Sequence, residues 1–186
     1  MTATDAPDAT GHITITPETF VRVEFDREQI REVVAEVASL LGVPNPIHVE
    51  VDEDTPLARM WASVDGTSSD ATITLTVESG AIEDSQRIRQ FGPERARESL
   101  GRMLLRARDR LRGDFDLPAD GDLGNEDHTA WNTYASGRLA RLGIPVNQQR
   151  WRYDYRNRFG FSDDTDAAFD RLWAADDLSW DQVRNP

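Results

Sequence analysis

The sequence predicts an α+β fold: a small mixed sheet of about four strands with a helix before and a long helix after it, plus an all-helical C-terminal extension. Three observations predict it. Between His12 and Val77 apolar and polar residues alternate in short runs, the period of a strand with one buried face. From Pro93 onward the apolar residues recur every three or four positions, the period of helices. Proline falls between these runs and not within them.

Residues 1–11 are small and polar without periodicity, which predicts a disordered leader. His12 to Phe25 alternates in two pieces, Ile13-Thr14-Ile15 and Phe20 to Phe25, with Pro17 between them, and is expected as strand. Asp26 is a good N-cap. Ile30, Val33, Val34, Val37, Leu40 and Leu41 then follow at helical spacing until Gly42 supplies the stop. Ile47 to Val51, Leu57 to Val64 and Ala71 to Val77 are the remaining strands, and residues 65–70 carry turn chemistry. Pro93 opens a long helix whose apolar stripe runs through Ala96, Leu100, Met103, Leu104, Ala107 and Leu111. Ala130 to Leu142 marks another helix, capped by Asn125 or Asp127. Gln148 to Phe159 fits strand and helix alike and is read as helix. Ser162 caps a further one, and Leu178 to Pro186 is a short tail. Residues 12–115 therefore read as the sheet domain and 116–186 as a helical extension packed on it.

The 186 residues suffice for a core without covalent staples, and the chain has no cysteine. Disulfides, thiol nucleophiles, iron–sulfur clusters and thiolate zinc sites are thereby excluded together. All 21 basic residues are arginine, for which the simplest cause is a GC-rich bacterial genome that favours arginine codons. Without lysine there is no Schiff base, no P-loop lysine and no lysine general base. Residues 1–11 hold neither a basic residue nor an apolar run, so no signal peptide or membrane anchor is expected there, and the cytoplasm is the expected compartment.

A net charge of −13 argues against nucleic acid as a partner, because affinity for a polyanion comes mainly from neutralised phosphates. The charge is distributed in blocks. Residues 1–84 carry 4 arginines against 17 acids, 85–112 carry 9 against 3, and 138–158 carry 6 against 1. Such alternation points to basic helices packed beside acidic segments. On the long helix, at about 100° per residue, Arg95, Arg102, Arg106 and Arg110 share one arc opposite the apolar stripe. Glu98 and Asp109 flank that arc, each three or four residues from an arginine. Either acidic segments of 114–127 and the C-terminal helices fold over it, or it attracts an anion.

The order strand, helix, strand, strand, strand, followed at once by a long helix, resembles that of the minimal zincin-like metallopeptidases over roughly residues 19–115. That resemblance implies a first helix after the sheet bearing HExxH, two histidines for zinc and a glutamate as general base. Here the corresponding stretch after Met103-Leu104-Leu105 reads Arg106-Ala107-Arg108-Asp109-Arg110. Guanidinium groups cannot ligate a cation and Ala107 cannot act as a base, so the resemblance implies a non-catalytic member of the scaffold, a pseudoenzyme with no cofactor.

Other chemistries find little footing. His12, His48 and His128 stand apart. Glu126-Asp127-His128 is the one plausible hard-ligand cluster, and the reading set against it is a helix N-terminus. Asp52-Glu53-Asp54 lacks the spaced oxygens of a calcium loop. No GxSxG, GxxxxGK[ST] or GxGxxG occurs. No catalytic or metal residue is assigned. The expected role is non-enzymatic interaction, with a partner protein or with further copies of the chain. Arg150, Trp151, Arg152, Tyr155, Trp173 and Trp180 are the secondary candidates, Trp173 and Trp180 as exposed contact residues. The alternative is a binder of, or an enzyme acting on, a small anionic ligand held by Arg102, Arg106 and Arg110.

Overall fold

The computed structural model describes residues 13–66, 70–118 and 122–186. The expected leader 1–11, His12, part of the 65–70 turn and part of the 114–127 loop lie outside the described residues. The fold is α+β, with four strands and six helices among the described residues. The chain divides into two compact units, Met1–Gly101 and Arg102–Pro186.

In the first unit, strand β1 (Ile13–Thr16) leads to helix α1 (Arg27–Leu41), then to β2 (Ile47–Asp52), β3 (Met60–Asp65) and β4 (Thr72–Glu78). The sheet order is β1-β2-β4-β3. β1, β2 and β4 are parallel, while β3 pairs antiparallel with β4 and forms an edge. Alternation sets the buried face: Ile13 and Ile15, Ile47, Val49 and Val51, and Ile73, Leu75 and Val77 are all buried. Ile30, Val33, Val34, Val37 and Leu41 of α1 are buried with them. The opposite face carries Thr14, His48 and Thr74 in one register row, and Thr16, Glu50, Thr76 and Trp61 in the next.

Helix α1 begins and ends where local chemistry dictates. The Asp26 carboxylate accepts from Glu28 N at 2.8 Å, and Gly42, at φ 62°, takes the left-handed conformation that closes the helix. Asp26→Ala should therefore cost about 1 kcal/mol, read as a lowered urea midpoint in circular dichroism.

The alternation from Phe20 to Phe25 does not produce a strand, which corrects the sequence expectation. Only an isolated bridge, Glu24 to Gln90, forms there. Pro17 interrupts the ladder after β1 because it offers no N–H. The aromatic residues serve packing instead: Phe25 stacks edge-on against Phe20 and Phe91, at 5.7 and 6.0 Å between centroids.

Helix α2 (Pro93–Leu111) starts in the first unit and ends in the second. Within the first unit its Arg97 pairs with Glu36 of α1 at 2.9 Å. The second unit continues with α3 (Asn125–Arg141), α4 (Gln148–Phe159), α5 (Asp163–Ala174) and α6 (Trp180–Arg184). The stretch that fitted strand and helix alike is thus helical. Asn147 accepts from Arg150 N at its start, and the Ser162 hydroxyl accepts from Thr165 N at the start of α5.

The core of this unit is aromatic: Phe115, Trp131, Tyr134, Tyr155, Phe169 and Trp180 are buried together. Trp180 meets Phe115 and Trp131 edge-on, each at 5.9 Å. Among the described residues no helix is long and apolar enough to cross a membrane.

Candidate functional site

The basic arc of α2 is the first place to look. Arg95 lies in the first unit, half-buried beside a cleft of about 550 Å³ that Asp84, Glu94 and Arg97 also border. Arg102, Arg106 and Arg110 belong to the second unit, where they meet aromatic faces. The Arg106 guanidinium lies 4.0 Å from the centre of the Trp131 ring, Arg110 lies 5.2 Å from it, and Arg102 is 4.8 Å from Trp151. Arg106 also donates to Asn132 Oδ1 at 3.1 Å and to His128 Nδ1 at 3.0 Å. A guanidinium has no acceptor, so His128 presents an unprotonated Nδ1 to it.

The sequence reading looked for a partner of Asp109 three or four residues away on the same helix; the structure adds one from another helix. Asp109 is fully buried and receives both terminal nitrogens of Arg138 on α3, at 2.7 and 2.6 Å, together with Trp131 Nε1 at 2.8 Å. The helical period placed Asp109 beside the arc but could not show that α3 covers it.

The Glu126-Asp127-His128 stretch also separates once folded. Gly124, not Asn125 or Asp127, is the N-cap of α3. Asp127 accepts from Gly124 N at 2.9 Å and pairs with Arg184 at 3.1 Å, while His128 turns to Arg106. Among the described residues no three His, Asp or Glu side chains stand close enough to hold a metal ion.

Of the secondary candidates, Tyr155 and Trp180 are core residues, 2% and 4% exposed. Burial pushes the Tyr155 phenol up to about 12. Trp180 was expected at the surface; it is instead drawn inward because α6 folds its apolar side onto Phe115 and Trp131. Trp173 is half-buried, stacked on Phe169 at 5.4 Å. Trp151 and Arg152 face inward on α4: Arg102 lies over the first, and the second lies 4.4 Å from the Phe169 ring while pairing with Asp170. Arg156 clamps Asp166 at 2.7 Å, and that hydrogen bond holds the Asp166 carboxyl below its ordinary range.

Only Arg150 among the six remains fully outward, and further exposed residues stand on α4 and just past its end. Tyr153 and Phe161 are 58% and 67% exposed and touch edge-to-face at 6.2 Å. Arg158 is exposed on the same side. The signal for Tyr153 was present in the helical period, which places it with Arg150 and opposite Phe159. Phe161 had none, since it follows the helix-ending Gly160, and only its fold-back onto Tyr153 puts it on this face.

No family profile, no curated protein and no solved structure matches the chain.

Proposed function

We propose that this chain is a non-enzymatic interaction protein, and that the outward face of α4 is its contact surface. One observation carries the reading. Two adjacent aromatic side chains stand mostly in solvent, Tyr153 on α4 and Phe161 just past its end, while the inner face of the helix is fixed by Trp151, Tyr155 and the Arg156–Asp166 pair. Exposed aromatic residues flanked by arginine have the composition of binding hot spots. The alternative, an anion clamp of Arg102, Arg106 and Arg110, is less well supported, because an anion would compete with the indoles and with the His128 and Asn132 acceptors. A degenerate metallopeptidase-like scaffold fits the same reading, with Arg106 and Arg110 resting on Trp131 where histidines would have to reach a metal.

The test compares the wild type with Tyr153→Ala/Phe161→Ala. Both sites are exposed, so the variant should stay within about 0.5 kcal/mol of the wild type per site in denaturant melts. Whatever the wild type binds, whether another protein or itself, should be held roughly 30-fold more weakly by the variant, the loss that follows from removing a hot-spot aromatic. Equal retention by both proteins removes the reading.

A further inference from the structure

Independently of the α4 contact surface, we propose that the open face of the sheet binds a neutral sugar chain, with Trp61 as its stacking platform. Parallel strands ordinarily have both faces covered. Here β1, β2 and β4 are parallel and bury one face with α1, while the other leaves Thr14, Thr16 and Glu50 exposed, with Trp61 and Ser63 of β3 beside them.

The register makes that face an ordered array. Thr16, Glu50, Thr76 and Trp61 form one row across the sheet, and Thr14, His48, Thr74 and Ser63 form the next. At ~4.8 Å between strands each row spans about 14 Å, long enough for a short oligosaccharide. Apart from the indole, every position carries a hydroxyl, an imidazole or a carboxylate.

Part of the array is already oriented. The Glu50 carboxylate accepts from His48 Nε2 at 3.3 Å, so Nδ1 accepts the Thr14 hydroxyl at 2.7 Å, which fixes the ring and leaves the Thr14 oxygen as an acceptor. The Glu50 side chain is half exposed, and its second oxygen can take a charge-assisted bond from a ligand hydroxyl. The Ser63, Thr74 and Thr76 hydroxyls have no partner among the described residues. The indole is steadied by Arg59, whose guanidinium lies 5.8 Å from the ring centre and pairs with Glu78 at 2.7 Å, yet Trp61 stays 51% exposed.

Charge and polarity select the occupant. Neither row holds an arginine, and Arg59 beside them is neutralised by Glu78, so an anion meets repulsion from Glu50 and no clamp. Trp61 is the one large apolar side chain in the rows, too little for the core of a protein interface. A sugar chain meets both conditions. Its C–H groups, partly positive, lie against the electron-rich face of the indole, and its hydroxyls pair with the array.

Electrophoresis of the full chain through native gels containing glycogen, dextran, galactomannan, xylan or hydroxyethylcellulose tests this. At least one of them should slow the chain, and calorimetry with an oligosaccharide of that polymer should give the same affinity at low and high salt, since no ion pair forms. Trp61→Ala should weaken binding about 30-fold, the loss of a hot-spot aromatic, and Trp61→Tyr should restore most of it. Thr76→Val keeps the shape and removes the hydroxyl, and should cost about fivefold. Urea melts show that each variant is folded, and Tyr153→Ala/Phe161→Ala should bind sugar as the wild type does. Free mobility in every gel, or retardation that folded Trp61→Ala keeps, overturns the proposal. So does binding of an oligo-arginine peptide that high salt and Glu50→Gln abolish in a chain that no sugar retards, which would make the face a site for basic protein instead.

Discussion

Asp109→Ala is expected to lower the stability of the helical unit by about 3–5 kcal/mol, the cost of leaving a buried charge without its partner. The carboxylate is fully buried and Arg138 is 4% exposed, so water cannot replace either. Removing it strands the Arg138 guanidinium against the Tyr134 ring, 3.9 Å away, and orphans the Trp131 indole N–H. The loss belongs to the missing partner and not to an intrinsic strength of ion pairs, so Asp109→Met/Arg138→Met should recover most of it. That recovery is assisted by a flaw in the native pair, since Arg138 Nε is buried with no acceptor. Denaturation followed by tryptophan fluorescence measures both variants in the right place: Trp131, Trp151, Trp173 and Trp180, four of the five tryptophans, lie within Arg102–Pro186.

Gly137→Ala is the second large effect. In an exposed helix interior this change would add about 1 kcal/mol of stability. Here a Cβ would stand 2.2 Å from the Trp173 carbonyl oxygen and 2.8 Å from two further backbone atoms of that residue. Backbone cannot rotate aside, so α5 must move. The same junction is fastened by Arg141, whose guanidinium caps the Trp173 and Ala175 carbonyls at the end of α5 and pairs with Asp176 at 2.8 Å. A shift of α5 sacrifices those bonds as well as the fit of Phe169 and Leu172. A net loss of about 3 kcal/mol is expected, at the upper end of overpacking costs. The fluorescence midpoint should fall accordingly, and an unchanged midpoint would mean that α5 docks elsewhere on α3.

These cases also show what was legible in the sequence. Helix α1 could be read from residues 26–42 alone, because its cap, its stripe and its stop are all local. The strands β2 and β4 were equally plain, since alternation of β-branched residues fixes both conformation and face. Phe20 to Phe25 misled because alternation is also what an aromatic cluster looks like when its partner, Phe91, is remote in the chain. That α2 carries its arginines along one arc follows from the helical period, yet the environment of that arc was not legible. Trp131 and His128 come from beyond a loop, and nothing in the local period announces them. Trp180 was misjudged for the same reason, because a five-residue helix buries its tryptophan through tertiary packing. Gly137 was invisible as a close approach, since a glycine inside a helical pattern carries no record of what passes beside it.

Helix α2 spans the division of the chain: of its 19 residues, Pro93–Gly101 belong to one unit and Arg102–Leu111 to the other. Severed there, each stump would be shorter than the roughly 12–15 residues at which an isolated helix holds together in water. Cut at that point, each half of α2 would stay helical only through the residues it buries, Ala96 and Leu100 on one side and Met103, Leu104 and Ala107 on the other.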